Sequence, residues 1–410
     1  MNSKLFNRNF TLLLLGQISS LFGNTILRFA LSMYILEVTG SATIFASLLA
    51  ISIVPTILLS PLGGILADRV NRRNIMVALD FVSGVSVLLF VFILSDSNVV
   101  TAIGVLMVIL SILAAFESPA AAACVPQLQE GDNVIRANAA VYQVSALAGL
   151  VAPILGSVFY SIFGLRPILI VSVACFFITA LFECFIQLLH TPSSEENSVL
   201  AIIKNDFSAS MRFMTREQPN ILKLLLLIAI ISFFITSLGT VGMPFMIRKV
   251  LGLDATFYGA AESALGAASI AGSIAAGLLV GKFKVSRLYL LLAALGVSLL
   301  PAALAFLLKA PTMVSYGSII LSFVLAQLPA TVFSVFGLSI IQQNTPNQLL
   351  GKVMSYAATI TLCAQPLGQI VYGILFDLLH NRVFLIIIPS AILLYLAGTA
   401  SRKMFSAFEK

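Results

Sequence analysis

An all-α, polytopic membrane fold of twelve spanning helices is predicted by three features: apolar runs of membrane length, scarcity of charge, and the one-sided placement of cations between the runs. Hydrophobic residues make up 60% of the 410-residue chain and charged residues only 10%. Mean hydropathy is +1.07. A soluble domain carries about 25% charged residues, so this chain lacks the polar side chains to cover a water-facing globule. In a bilayer, a spanning helix needs about 20 predominantly apolar residues and must satisfy its own backbone polar groups.

Twelve such spans are expected near residues 11–36, 42–66, 74–95, 99–122, 138–162, 166–189, 221–247, 257–280, 287–308, 312–341, 352–376 and 383–401. Met1–Phe10 lacks the tripartite pattern of a cleaved signal peptide, so the first span is expected to stay in the membrane. The net charge of +7 follows the same topology. With the N-terminus inside, only Arg166, Arg248, Lys249, Lys309 and Arg382 fall on outer segments and Arg28 lies within a span; the other 17 of 23 cations are inner. That bias places both termini in the cytoplasm of a multi-pass protein of the cell inner (plasma) membrane. It also accounts for the basic excess without a nucleic-acid surface.

His190–Asn220 is the one polar linker. It contains T-P-S-S-E-E-N-S, then Leu200, Ile203, Phe207, Met211 and Met214 at helical spacing on one face. That pattern predicts an amphipathic helix on the cytoplasmic membrane surface. The chain thus divides into an N-terminal six-helix bundle (1–190), a linker (191–219) and a C-terminal six-helix bundle (220–410). Gly64-Ile-Leu-Ala-Asp-Arg69 resembles Gly277-Leu-Leu-Val-Gly-Lys282, and Pro153 answers Pro366; each pair is 213 positions apart. A duplicated half, and hence two bundles related by a pseudo-two-fold axis, explains one offset at two distant landmarks.

No enzymatic centre is expected. Cys124, Cys175, Cys184 and Cys363 are scattered without metal-ligand spacing, and His190 and His380 are far apart. G-x-G-x-x-G and Walker A loops are absent. Neither a metal, a cofactor nor a catalytic residue is predicted.

The stretch Pro61–Arg73, P-L-G-G-I-L-A-D-R-V-N-R-R, concentrates a glycine pair, one acid and three arginines in the turn between two apolar spans. Gly64–Arg73 resembles the G-x-L-A-D-R-x-G-R-R loop of the major facilitator superfamily, with Asn71 where glycine is usual, and the resemblance extends over the whole chain. N-F-T-L-L-L-L-G-Q at Asn9–Gln17, T-G-S at Thr39–Ser41 and A-N-A at Ala137–Ala139 are similar to the branch holding bacterial macrolide, drug and siderophore exporters. Gly149-Leu-Val-Ala-Pro-Ile-Leu-Gly156 resembles the antiporter signature G-x-x-x-G-P-x-x-G, with Ala152 for the second glycine. Physically, Gly149, Pro153 and Gly156, with Pro366 in the other half, make helix kinks and close packing. The resemblance implies a conformational latch at Gly64, Asp68, Arg69 and Arg73, alternating access of two bundles, and export rather than import. In the second copy of the loop Gly281 replaces the acid, so the strong latch belongs to one half.

Ionisable groups inside spans are costly and mark function. Arg28 lies deep in the first span with Asn24 one turn before it, where relatives carry an acid. Glu262 lies about two turns into the eighth span, and Glu117 nearer the inner end of the fourth. With Tyr142, Gln143, Gln327 and Gln365, these residues are expected to line a central cavity for a hydrophobic or amphipathic small molecule, with protons as the coupling ion. Gln17, Gln369 and Phe336 are further polar or aromatic candidates. Asp80 and Glu183 are expected to reach the membrane interface or to form a static pair. The partners implied are a small-molecule substrate, protons and membrane lipid, with the chain a monomer. A small-molecule importer or lipid flippase on the same fold, and a non-transporting sensor, are the alternative readings.

Overall fold

The structure, a computed structural model, describes residues 5–95, 98–188, 211–279 and 282–406. Among them twelve helices are long and apolar enough to cross a membrane. They are α1 (Arg8–Thr39), α2 (Ala42–Arg69), α3 (Arg72–Ile93), α4 (Val99–Leu128), α5 (Asp132–Phe163), α6 (Leu165–Cys184), α7 (Pro219–Val250), α8 (Ala255–Leu279), α9 (Val285–Leu307), α10 (Thr312–Gln343), α11 (Asn347–Leu379) and α12 (Phe384–Ala400). Every expected span is present. The fourth and fifth helices run several residues past the apolar stretches, because helix geometry continues through Gln127 and Arg136 where hydropathy has already ended.

The short polar motifs act as helix punctuation. Asn7 caps α1, its Oδ1 accepting the Phe10 N–H at 2.9 Å. At the other end Gly40 takes φ 64° and donates its N–H to Leu36 O at 3.0 Å. This left-handed cap is the reason glycine follows Thr39. Asn71 caps α3 by accepting the Arg73 N–H at 3.1 Å, which gives the departure from glycine in the loop a structural role.

One helix departs from regular winding. In α7 the stretches Ser232–Thr236, Leu238–Gly242 and Met246–Val250 form wide i→i+5 turns, the last closed by Leu251 N–H on Met246 O at 2.8 Å. Most of the amphipathic linker lies outside the described residues; of its apolar face, Met211 and the buried Met214 are described.

The chain forms two compact units. The first takes the residues up to Gly40, then Ile51–Glu196 and Ala255–Ser263; the second takes Ser41–Ala50, Asn197–Asp254 and Ala264 onward. In the first, α3 packs on α6 and α4, and α1 on α6 and α5. In the second, α9 packs on α12 and α10, and α7 on α11. Three of these four pairings, α3 with α6, α3 with α4 and α1 with α5, recur six helices later.

Candidate functional site

The first unit contains a cavity of about 320 Å³ walled by α1, α4 and α5. Gln17 and Asn24 of α1, Glu117 of α4, and Asn138, Tyr142 and Ser145 of α5 face it. Tyr142 is 76% exposed, so its ring is available to a ligand. Asn138, the centre of the A-N-A motif, points into the cavity wall while Ala137 beside it is buried. Gln143, also exposed, is absent from the wall because it follows Tyr142 by about 100° around the helix.

Arg28 sits one turn beyond Asn24, and its Nε donates to Asn24 Oδ1 at 3.1 Å. The amide thus holds the guanidinium without a charge of its own. On the other side of α1, Phe29 stacks on Tyr258 of α8, centroids 5.3 Å apart and planes at 18°. Tyr258 and Glu262 lie within hydrogen-bonding reach, one turn apart. Gly156 of α5 closes against the Phe29 ring, about 3.4 Å from where a Cβ would stand. Pro153 lies inside α5, whereas the space beside Gly149 is open.

At the α2–α3 turn the close approach belongs to Gly63, whose missing Cβ would strike Ala115 O of α4; nothing lies within 4 Å of Gly64. Arg73 donates to Cys184 O at the end of α6. Arg72 donates through Nε to Ala67 O at 2.9 Å and through Nη1 to Ala123 O at 2.7 Å. It therefore ties the ends of α2 and α4 to the start of α3, a role that sequence reasoning missed. Arg69 is exposed, and the Asp68 side chain lies outside the described residues.

In the second unit, Gln327 Nε2 donates to Thr331 Oγ1 of its own helix at 3.3 Å. Ser237 Oγ of α7 donates to Gln365 O beside Pro366 at 3.0 Å. Gln369 is buried and donates to Thr240 Oγ1 at 3.2 Å. Asp377 of α11 gathers three donors from the start of α2: Ser41 Oγ at 2.7 Å, Ala42 N–H at 2.7 Å and Thr43 N–H at 2.9 Å. A carboxylate on free helix-terminal N–H groups meets both their hydrogen-bonding need and the helix dipole.

Asp80 and Glu183 do not reach the membrane interface; both are 0% exposed inside the first unit. Depth counted along a span places them near its end, but α3 and α6 pack so closely there that neither side chain meets the surface. Gly16 of α1 leaves the room: the Glu183 Oε1 atom is 3.8 Å from where its Cβ would be. No group of His, Cys, Asp or Glu among the described residues is arranged to hold a metal ion.

Twelve helices of membrane length among the described residues define a multi-pass membrane protein. The Major Facilitator Superfamily profile matches residues 13–368, and the chain belongs to that family. Macrolide efflux protein A of Streptococcus pyogenes is 28% identical over 160 residues, 38% of this chain and 39% of that relative's length. The fold is similar to the nucleoside transporter NupG, with a TM-score of 0.76 at 11% identity, covering 96% of this chain and 99% of that one. It is also similar to a bacterial homologue of the iron transporter ferroportin in its inward-facing state, with a TM-score of 0.76 at 17% identity and 98% of both chains covered. A D-xylose–proton symporter follows at 0.68 and 14%, covering 98% of this chain and 96% of that one.

Proposed function

We propose that the protein exports a hydrophobic or amphipathic small molecule in exchange for protons by alternating access. The observation that carries the reading is the α1–α4–α5 cavity, where one carboxyl, Glu117, stands among amides, hydroxyls and an exposed tyrosine. Such a lining suits a ligand with a large apolar body and few polar handles. The similarity to a macrolide efflux protein supports the outward direction. Arg28 and Glu262 serve coupling or recognition of substrate charge, and Gln327 and Gln365 are further polar groups for the substrate. Gly64, Asp68, Arg69 and Arg73 form a latch, while Gly149, Pro153, Gly156 and Pro366 shape the moving helices. The chain works as a monomer in the inner membrane with both termini cytoplasmic and lipid around it. Its working halves are residues 1–190 and 220–410, joined by the linker.

The test is flux of a panel of macrolides, other drugs and siderophores in everted vesicles, with and without an imposed pH gradient. Gradient-dependent accumulation of a panel member is expected, and Arg28→Ala and Glu262→Gln are each expected to lower it at least tenfold. Normal flux and normal pH dependence in both variants would remove those residues from the mechanism. A second reading is import of a polar metabolite, favoured by the likeness to the nucleoside transporter and the sugar–proton symporter. Uptake into whole cells that collapses with the proton gradient would support it.

A further inference from the structure

The interior of the first unit contains a second polar centre that the cavity does not use. Asp80 and Glu183 are fully buried, and their carboxyl groups lie within hydrogen-bonding reach of each other. No N–H or O–H donor among the described residues reaches Asp80 Oδ2, Glu183 Oε1 or Glu183 Oε2. Ser20 Oγ stands 3.5 Å from Asp80 Oδ1, and the same hydroxyl is within reach of Glu117, which faces the cavity. Ser20 and Glu117 therefore both line the cavity, with Asp80 behind Ser20 and Glu183 behind Asp80.

The cations nearest this line are Arg72, Arg73 and Arg28, and the Nε of Arg73 is buried without a hydrogen-bond partner among the described residues. Arg72 donates to Ala67 O and Ala123 O, and Arg73 to Cys184 O. Cys124 of α4 is buried and lies within electrostatic range of both Arg72 and Glu183. On α1, Arg28 lies two turns outward of Ser20 and is held by Asn24. Two carboxyl groups facing each other with no donor between them require a hydrogen or a cation. Among the described residues no group of three or more His, Cys, Asp or Glu could hold a metal ion, and neither carboxyl meets solvent.

We propose that Asp80 and Glu183 form a proton-binding pair inside the N-terminal half, loaded from the cavity through Glu117 and Ser20. A proton from cavity water adds to the Glu117 carboxylate. Glu117 passes it to Ser20 Oγ as the serine hydroxyl gives its own proton to Asp80 Oδ1. The serine ends neutral, Glu117 is again a carboxylate, and the pair has gained one proton shared between Asp80 and Glu183. The proposal rests on the proton-exchange reading for its use in transport, but proton binding itself needs no substrate.

The experiment is infrared difference spectroscopy of the purified protein in lipid nanodiscs, cycled between alkaline and acidic buffer. A protonated-carboxyl band that rises on acidification, shifts in D2O and is halved or more in Asp80→Asn and in Glu183→Gln is expected. Ser20→Ala is expected to keep the band but slow its appearance at least tenfold. Carbon-13 labelling of aspartate in the unaltered protein should split the band, which keeps the test valid if a substituted protein fails to fold. Difference spectra unchanged by both substitutions and by labelling would overturn the proposal, as would a band displaced by sodium at constant pH. Proton-coupled flux with an unchanged spectrum sinks this proposal alone; a titrating pair without flux of any panel compound sinks only the transport reading.

Discussion

The seam between α3 and α6 and the seam between α9 and α12 are the same joint built twice, with opposite contents. In the first unit the joint holds Asp80 and Glu183, buried without a donor between them. In the second, Ala293 stands 213 positions after Asp80, and neither α9 nor α12 contains an acid. There the helices close until a Cβ on Gly398 would strike the Ala293 backbone, and one on Gly296 would strike Ala391 O. Tight packing of small residues thus suffices to hold this joint. The second seam assembles without acids, and burying carboxyl groups opposes folding, so their presence in the first seam points to use.

The strongest test transplants the acid. Ala293→Asp would put a carboxylate against the α12 backbone with no room and no partner, costing several kcal/mol. Loss of monodisperse, folded protein on purification is expected, and normal yield would break the comparison. Next comes Gly398→Ala, whose added methyl meets Ala293 N and Cα. Overpacking of this kind costs about 1–3 kcal/mol and should lower the thermal midpoint in detergent.

Asp377 supplies the counter-case, a carboxylate with three donors. Asp377→Ala removes a helix cap worth about 1 kcal/mol, and Asp377→Asn should recover part of the lost melting temperature because an amide oxygen still accepts. The smallest expected effect on stability belongs to the first seam itself. Asp80→Asn with Glu183→Gln should leave the midpoint within about 1 kcal/mol equivalents or raise it, since neutral groups of the same shape are easier to bury. Flux by the doubly substituted protein should lose its dependence on the imposed pH gradient. A large destabilisation in that variant would make the pair structural and dissolve the contrast with Asp377.

The fold was legible because bilayer physics writes itself into long apolar runs, and the spans from α1 to α12 were visible as such. The α2–α3 turn was legible too, since a break between apolar runs is local, whereas the caps at Asn7 and Gly40 emerged only from the backbone geometry. The partners of side chains were not. Asp80 and Glu183 are 103 positions apart, and depth within a span cannot reveal that α1 presents a glycine to them. Asp377 finds its donors 334–336 positions away, and no spacing rule reaches that far. Arg72 looked like one more topology charge, yet its guanidinium fits two carbonyls at helix ends that only the packed turn brings together.

The wide turns of α7 carry a mechanical consequence. A turn closed over five residues instead of four stores more chain per unit of axial length, and its side chains leave the register of the α-helix around it. Rewinding any one of these turns to α geometry would lengthen the rod and swing the face bearing Ser237 and Thr240 about its axis. Those two hydroxyls grip α11 at Gln365 O and Gln369, so α7 is geared to its neighbour as a screw is to a thread.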